Sequence, residues 1–271
     1  METKVIQKML QMFLIFMLMV LPVNYSPAQE TIQYSCSAQV YETFGDEMTD
    51  LFTKETDIKV ETYVSSSNSA VNRLLRNLSD IASTTRAIHP EYYEYGYVQT
   101  PFCQDPLAVI ANKSVKVDNI SAAQLQSIFY KETTDWKAVG GAEGKIVVVV
   151  PGNKTGAFEN FDRQVVPVRG IRYDFLAYQS TMVIRLVQNY PLSVSFIGYG
   201  TVQGSKDIRI LKIDGLSPDQ KGYPYYQVLS FVTSGEPSAP VRKFVDFIQS
   251  ETGRKLIEKR GMKPISKTDG Y

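Results

Sequence analysis

The sequence predicts an α/β fold. Short runs of β-branched and aromatic residues alternate along the chain with longer segments whose apolar residues recur every three or four positions. Residues 146–150 are one Ile and four Val, an unbroken apolar run that is typical of a strand covered on both faces. Ser121 is followed three residues later by Gln124, which is the pattern of a capping box at the start of a helix. Strands and helices that alternate in this way are typical of a sheet packed against helices.

The other elements follow from the same two periods. The helix predicted over residues 41–55, for example, places Phe44, Met48 and Phe52 on one face. Residues 92–97 are rich in Tyr and fit neither period. The predicted strands cover residues 32–35, 58–64, 80–83, 107–112, 146–150, 195–199, 208–213 and 225–233. The predicted helices cover residues 41–55, 69–78, 121–129, 155–163, 181–189, 241–249 and 252–259.

Composition excludes several classes of protein. The chain has 271 residues, of which 44% are hydrophobic and 21% are charged. These values are ordinary for a globular protein and exclude a wholly disordered chain, a collagen and a coiled coil. The 29 Lys and Arg residues nearly balance the 28 Asp and Glu residues, so a strongly basic nucleic-acid binder is excluded as well. The length predicts one large domain or two small ones.

The N-terminal segment has the pattern of a secretory signal peptide. Lys4 and Lys8 precede an apolar run over residues 9–23, which at about 15 residues is short for a membrane span. The small residues Ser26 and Ala28 fit the two positions that a signal peptidase reads. We therefore expect residues 1–28 to be removed and the mature chain to be exported. A retained N-terminal anchor is the alternative.

The mature chain keeps two cysteines, Cys36 and Cys103, and one histidine, His89. In an oxidising compartment the two cysteines could form a disulfide, and two isolated buried thiols are the alternative. The chain has a single histidine and no Cys-x-x-Cys motif. It therefore lacks the residues that a His-based zinc site or a nucleophile activated by histidine would need. We therefore expect no metal and no cofactor, and no nucleophile that a histidine activates.

Four polar loops follow predicted strands or precede predicted helices. In an open α/β sheet, ligands bind beyond the carboxyl ends of the strands, where helix N-termini present unpaired N–H groups. Hydroxyl groups of Ser and Thr add donors that rotate to suit a ligand. Loops of this kind that converge would surround a small oxyanion, whereas each loop taken singly is only a helix cap or a turn. The loops are residues 36–39, 65–69, 83–86 and 152–157.

Several longer motifs point to one family. The most distinctive are Pro-Leu-Ala-Val-Ile-Ala-Asn-Lys at residues 106–113 and Trp-Lys-Ala-Val-Gly-Gly at residues 136–141. They resemble segments of the phosphate-binding proteins of ABC transporters, which belong to the two-lobed periplasmic binding-protein superfamily. Further motifs of the same family are similar to residues 118–121, 124–125, 128–129, 197–200, 223–224 and 235–238, so the resemblance extends over residues 31–265.

The resemblance implies a particular organisation of the α/β fold. It is the type II arrangement of two lobes, each a mixed, mostly parallel sheet flanked by helices, with two crossing strands as the hinge. Lobe one would comprise residues 29–104 and 200–271, and lobe two would comprise residues 105–199. The ligand would lie in the cleft between the lobes.

The resemblance also places the ligand-binding residues in the four polar loops. Ser37 keeps a hydroxyl of the family's first loop, and Ser67 and Ser69 keep hydroxyls of the second. The third loop ends at Thr85 and Arg86, and the fourth meets the ligand at a helix N-terminus. The candidate ligand-binding residues are Ser37, Ser67, Ser69, Thr85, Arg86, Lys154, Thr155, Gly156 and Ala157.

The chain departs from the family in charge. Pro151 stands where the family has the Arg that is the cationic partner of the oxyanion, and Pro offers neither charge nor donor. Lys154 or Arg86 would supply the charge instead. Lys154 could also be a solvated turn residue, and Arg86 could pair with an acidic residue of its own loop. Thr85 stands nearest to the Asp that accepts the proton of monohydrogen phosphate in some members of the family.

The resemblance implies an exported solute-binding protein that captures phosphate or a related oxyanion for an ABC permease. It would act as a monomer and bind no nucleic acid. A sensor or partner-recognition module that has lost the anion site is the alternative, favoured by Pro151 and Ala38. A hydrolase that uses the Ser-rich loops is disfavoured because no base accompanies those hydroxyls.

Overall fold

The computed structural model of the chain describes residues 29–178 and 180–266. The predicted signal peptide, residues 1–28, lies outside the described residues. Among the residues that are described, no helix is both long enough and apolar enough to cross a membrane.

The described residues form short strands and helices that alternate along most of the chain. The strands are Thr31–Ser37 (β1), Lys59–Ser65 (β2), Ile81–Thr84 (β3), Tyr97–Ala111 (β4), Asn119–Ile120 (β5), Val147–Pro151 (β6), Phe175–Ala177 (β7), Ser193–Gly198 (β8), Arg209–Ile210 (β9), Lys212–Ile213 (β10), Tyr226–Ser234 (β11) and Lys263–Pro264 (β12). The helices are Ala38–Phe44 (α1), Glu47–Thr56 (α2), Ser67–Leu75 (α3), Pro90–Glu94 (α4), Ala122–Phe129 (α5), Gly156–Val165 (α6), Ser180–Asn189 (α7), Tyr199–Val202 (α8), Ala239–Gln249 (α9) and Glu251–Lys259 (α10), with a 3-10 helix at Trp136–Val139.

Most of the strands belong to one mixed sheet with the order β2-β1-β3-β11-β4-β8-β6-β7. Strand β1 pairs in parallel with β2 and β3, and β6 pairs in parallel with β7 and β8. The central strands β11 and β4 run antiparallel to each other, and they run antiparallel to their outer neighbours β3 and β8. Two parallel units are thus joined through an antiparallel pair, and the predicted α/β class is confirmed.

The two ends of strand β4 contribute side chains to different hydrophobic cores. Phe102 and Cys103 lie in a first core with side chains of β1, β3, β11, α1, α2, α9 and α10. Leu107 and Val109 lie in a second core with side chains of α5, β6, α6 and β8. A chain whose two halves each bury their own core behaves as two bodies. The single 15-residue strand β4 therefore links two lobes.

Strands β4 and β11 pair along the whole length of β11, with one irregularity. The register shifts between Leu229 and Ser230, opposite Cys103 and Pro101. Pro101 has no backbone N–H, so it cannot donate a hydrogen bond to its neighbour in the sheet. Proline is tolerated inside a sheet at such a bulge, which explains its position in a central strand.

Two predicted elements differ from the observed ones near the N-terminus. The single helix predicted over residues 41–55 is two helices, α1 and α2. Gly45 ends α1 with φ of 57°, a left-handed conformation that favours glycine, and its N–H donates to the Tyr41 carbonyl oxygen. The Tyr-rich residues 92–97 include the end of α4 and the start of β4, which begins at Tyr97 rather than at residue 107.

Residues 208–225 return to the second core after β8. Instead of one strand over residues 208–213, the chain forms β9, which pairs with the end of β4, and β10, which pairs with β5. Leu211, Ile213 and Tyr225 are buried in the second core. The lobe boundaries at residues 104 and 199 stay a prediction, and these contacts favour a return crossing nearer to residue 225.

The two cysteines are free and buried. Cys36 lies in β1 and Cys103 in β4, and these strands are separated by β3 and β11 in the sheet. At about 4.8 Å between neighbouring strands, the two backbones are roughly 14 Å apart, about twice the distance that a disulfide spans. Burial raises the pKa of the Cys36 thiol to about 12 and also raises the pKa of Cys103. Of the two alternatives, isolated buried thiols are therefore the one observed.

We expect both thiols to be unreactive in the native protein. Because the thiolate is the reactive form, burial and raised pKa values slow attack on a thiol reagent. An Ellman assay at pH 8 should detect almost no thiol before unfolding and two per chain after unfolding in denaturant without reductant. Fewer than two thiols in the unfolded sample would indicate a disulfide and contradict the structure.

Candidate functional site

Three of the four polar loops meet at one edge of the sheet. Since β1, β2 and β3 are parallel, their carboxyl ends share this edge. The Oγ of Ser67 lies 3.3 Å from Thr85 Oγ1 and accepts a hydrogen bond from the backbone N–H of Thr85 at 3.3 Å. The backbone N–H of Ser37 donates to the Ser83 Oγ at 2.9 Å. The edge thus brings together the buried candidates Ser37, Ser67 and Thr85.

The fourth loop reaches the same edge from the other lobe. A Cβ atom added at Gly156 would lie 2.8 Å from Thr85 Cβ and 2.9 Å from the Thr85 carbonyl oxygen. The side-chain amide of Asn160 donates to the carbonyl oxygens of Thr85, at 2.9 Å, and Gly156, at 2.8 Å. The N-terminus of α6 is therefore in direct contact with the loop that follows β3.

Several of the candidate residues also cap helices. Ser37 Oγ accepts a backbone hydrogen bond at the start of α1, and Thr155 Oγ1 accepts one at the start of α6. At the start of α3 the cap is Ser66, whose Oγ accepts from the backbone N–H of the half-buried Ser69 at 3.2 Å. Ser66 was not among the candidates, although its place before an apolar helix is a sequence signal for an N-cap.

Arg86 connects the two lobes. Its guanidinium group forms an ion pair with Glu159 of α6. Its Nη1 donates to Asn68 Oδ1 at 3.1 Å and reaches the Lys154 carbonyl oxygen at 3.4 Å. The acidic partner thus lies on α6 and not on the loop of Arg86 itself, so the charge of Arg86 is already balanced at the site.

The fourth loop carries the second cation. Lys154 is exposed, and within the described part of the chain its side chain makes no ion pair. Pro151 is buried in β6, where it pairs with Ala177 of β7. Ala157 is buried in the second core, so only its backbone can serve a ligand. Lys154 is therefore the candidate cation of these loops whose charge is not balanced by a neighbour.

A chain of hydrogen bonds that the sequence did not reveal connects the edge to the crossing strands. Thr85 Oγ1 donates to Gln39 Oε1 at 2.6 Å, and Gln39 Nε2 donates to Gln227 Oε1 at 3.3 Å. Gln227 Nε2 then donates to Asp105 Oδ2 at 2.9 Å. The other carboxylate oxygen of Asp105 accepts from the Gly200 N–H at 3.0 Å. Partners so far apart in sequence leave no local pattern to detect.

Asp105 is a fully buried carboxyl group on β4. Burial raises its pKa to about 6, and the hydrogen bonds from Gly200 and Gln227 oppose that rise. The fit is tight, because a Cβ atom added at Gly198 would lie 2.1 Å from Asp105 Oδ2. The Asp105 carboxyl group therefore changes charge near pH 6, and it does so at the junction of β4 and β11.

A cavity of about 600 Å³ opens beside the edge. Ser66, Ser67 and Thr155 line one end of it. The rest of its wall comes from α1, from the end of β2 and from Tyr178, which follows β7. The cavity is thus in contact with the N-termini of α3 and α6.

Comparison with known proteins identifies the family that shares this fold. The model of the PBP superfamily domain matches residues 23–252, which is most of the chain. The chain belongs to the PBP superfamily. As a domain of the PBP superfamily it is a binding protein and not an enzyme.

Individual relatives of this superfamily agree with the assignment. The chain is 27% identical over 211 residues to the phosphate-binding protein PstS of Borreliella burgdorferi, covering 72% of this chain and 76% of that protein. A crystal structure of PstS from Borrelia burgdorferi is similar with a TM-score of 0.60 and 26% identity, covering 88% of this chain and 99% of that one.

A third protein has a more similar fold. It is described as a phosphate ABC transporter substrate-binding protein from Clostridium perfringens and was solved with bound phosphate. The TM-score is 0.78 at 21% identity, covering 88% of this chain and 100% of that one. The two-lobed fold expected from the resemblance is confirmed by these structures.

We expect the variant Gly156→Ala to separate the lobes. The added methyl group would overlap Thr85 and cost about 1–3 kcal/mol in the closed arrangement. Small-angle scattering should show a larger radius of gyration, and urea denaturation should show lower stability. Gly152→Ala is the matched control, because its added Cβ would find its nearest neighbour at an ordinary 3.4 Å. Identical scattering from the two variants would contradict the contact.

Asp105 should make the protein less stable as the pH rises from about 4 to about 6. In this window the unfolded carboxyl group has lost its proton while the folded one, with a pKa of about 6, keeps it. The free energy of unfolding should fall by up to about 3 kcal/mol from this group.

Urea denaturation across this pH range measures the effect. The variant Asp105→Asn should lack the decline, and the exposed control Asp219→Asn should keep it. Parallel curves for wild type and Asp105→Asn would show that Asp105 does not titrate in this window.

Proposed function

We propose that this chain is an exported solute-binding protein that captures phosphate in the cleft between its lobes for an ABC-type importer. The observation that carries the proposal is the meeting of the α3 and α6 N-termini at Ser67, Thr85 and Gly156. Helix N-termini offer unpaired N–H groups and the positive end of the helix dipole. An anion in the adjacent cavity, against Ser67 and Thr155, would contact both lobes at once and hold them closed. The names of the relatives support phosphate as that anion.

In the proposed complex, the hydroxyl groups of one lobe and the backbone of the other share the anion. Ser37, Ser67 and Ser69 donate from lobe one, and Thr85 donates once its hydroxyl turns from Gln39 to the anion. Residues 155–157 offer backbone N–H groups from lobe two. Lys154 supplies the positive charge that Pro151 does not. Arg86 orders the loops through its contacts with Glu159 and with the Lys154 carbonyl oxygen.

The same proposal covers the cellular context. Residues 1–28 would direct export to the periplasm and be removed, and the closed protein would dock as a monomer on a membrane permease. Lobe one would hold residues 29–104 with the C-terminal part of the chain, and lobe two would follow from residue 105. A relative described as an ABC transporter substrate-binding protein supports the permease.

Two observations favour a second candidate function. Arg86 is already paired with Glu159, and Pro151 lies in β6 where the family has Arg. A binding-protein domain without an anion would serve as a sensor or as a partner-recognition module. This candidate differs from the first in that Lys154 would have no ligand to hold.

Isothermal titration calorimetry of residues 29–271 tests the proposal, after unfolding and refolding to remove any carried ligand. Phosphate should bind with micromolar or tighter affinity. The variant Lys154→Gln should weaken binding about tenfold, because a hydrogen bond to a charged group is worth about 1.5–3 kcal/mol. Thr85→Ala should weaken it by a similar factor.

Matched controls make this measurement specific. Lys212→Gln removes an exposed Lys of β10, and Ser217→Ala removes a hydroxyl outside the four loops. Both should bind phosphate as the wild type does. If the refolded wild type shows no binding of phosphate, sulfate or molybdate, the proposal is rejected and the sensor or partner-recognition module is favoured.

A further inference from the structure

A second cavity, of about 590 Å³, lies between the lobes. One wall comes from α6, and another comes from the loop that follows β3 and from the first half of β4. Strand β11 supplies a third side. Among the described residues, none lines both this second cavity and the first one beside Ser67 and Thr155. Cavities of roughly 300–1,000 Å³ hold small organic ligands.

The hydroxyl group of Ser230 lies on the side of β11 that faces the second cavity. Tyr226, Val228 and Ser230 occupy every second position of β11, and all three line the cavity. Leu229 and Phe231 lie instead in the first core. Ser230 is 0% exposed, and its Oγ has no hydrogen-bond partner among the described residues. Because an unpaired buried hydroxyl group is costly, a ligand that pairs with it would gain affinity.

Arg163 of α6 brings an unbalanced positive charge to the same cavity. Its Nη2 donates to Asn160 Oδ1 at 2.8 Å, and within the described part of the chain it forms no ion pair. The guanidinium group of Arg86 also lines the cavity, but it is paired with Glu159. No carboxylate side chain is found among the described lining residues. The lining therefore favours a ligand with a single negative charge.

The side-chain amides of the lining already have partners. Gln164 Nε2 donates to the Tyr226 carbonyl oxygen at 2.8 Å, and Gln164 Oε1 accepts from the Tyr226 N–H at 3.1 Å. Gln99 Oε1 accepts from a backbone N–H at 3.0 Å, and its Nε2 donates to a backbone carbonyl oxygen at 3.0 Å. Pro101 and Val228 add apolar surface. The middle of a ligand would therefore be apolar, because burial of apolar surface is favourable and few free polar groups remain.

We infer that the second cavity binds a small monocarboxylic acid with an apolar body and a hydroxyl group at its far end. The carboxylate pairs with the exposed Arg163, whose planar fork matches a carboxylate. The hydroxyl group of the ligand pairs with the buried Ser230. The apolar body lies against Pro101 and Val228. The inference goes beyond the proposed function and does not depend on it, because these four residues are not assigned to phosphate.

Titration of the isotope-labelled chain from residue 29, followed by NMR, tests the inference. The probes are 4-hydroxyphenylacetate, phenylacetate and 4-hydroxyphenylacetamide. The first should bind with a Kd of about 1 mM or tighter and shift amide resonances of α6 and β11. Phenylacetate, which lacks the hydroxyl group, should bind about threefold more weakly. The uncharged amide should bind about tenfold more weakly.

Two variants with matched controls assign the binding to the second cavity. Arg163→Gln should weaken 4-hydroxyphenylacetate about tenfold. Its control is Arg172→Gln, which changes an exposed Arg that does not line the cavity. Ser230→Ala should remove the advantage of 4-hydroxyphenylacetate over phenylacetate, and it breaks no hydrogen bond of the described protein. Its control is Ser195→Ala, since Ser195 is also buried with an unpaired Oγ but lies outside the lining.

The outcomes separate this inference from the proposed function. Binding that Arg163→Gln and Ser230→Ala weaken as stated, and that phosphate does not displace, would establish the second site whether or not phosphate binds. If phosphate displaces the acid, or if Lys154→Gln weakens it and Arg163→Gln does not, the acid occupies the first cavity and the inference is overturned. If none of the three probes binds while phosphate does, the inference fails and the proposed function stands.

Discussion

The antiparallel pairing of β4 with β11 is the constraint on which the rest of the structure depends. Strand β4 supplies Phe102 to the core of one lobe and Leu107 to a core of the second lobe, and β11 pairs with it from Tyr226 to Ser234. A hydrogen-bonded pair of strands resists sliding, because sliding by one residue would turn every side chain to the opposite face. Motion of one lobe against the other is therefore limited to bending and twisting of this pair.

Hydrogen bonds tie the ligand edge to the same pair of strands. Thr85 at the edge connects through Gln39 to Gln227 on β11 and then to Asp105 on β4. Buried polar chains of this kind rigidify a protein when each member finds a partner. The cleft is thus organised mainly by neutral groups, and Arg86 is balanced by Glu159. An anion would be held largely by backbone and hydroxyl donors. Lys154, whose side chain is exposed, would add a positive charge.

The elements that sequence reasoning placed well are those that depend on near neighbours. The capping box at Ser121 is present, because both of its hydrogen bonds join Ser121 to Gln124 only three residues away. The run of β-branched residues became the buried strand β6. The helix over residues 41–55 was wrong, although Gly45 followed by Asp46 is a local signal for a break. The early start of β4 was missed because Pro101 argues against a central strand until its bulge is seen.

By itself, the sequence determined which donors and charges the four loops offer, and its single histidine disfavoured a His-based zinc site or a nucleophile activated by histidine. The motifs also indicated the two-lobed fold. Only the tertiary structure decided which of those groups meet. Arg86 pairs with Glu159 of the other lobe, and Gln39 bonds Gln227 across 188 positions of sequence. Such pairs are set by the order of the strands in the sheet and by the crossing of β4 and β11, which no local period encodes.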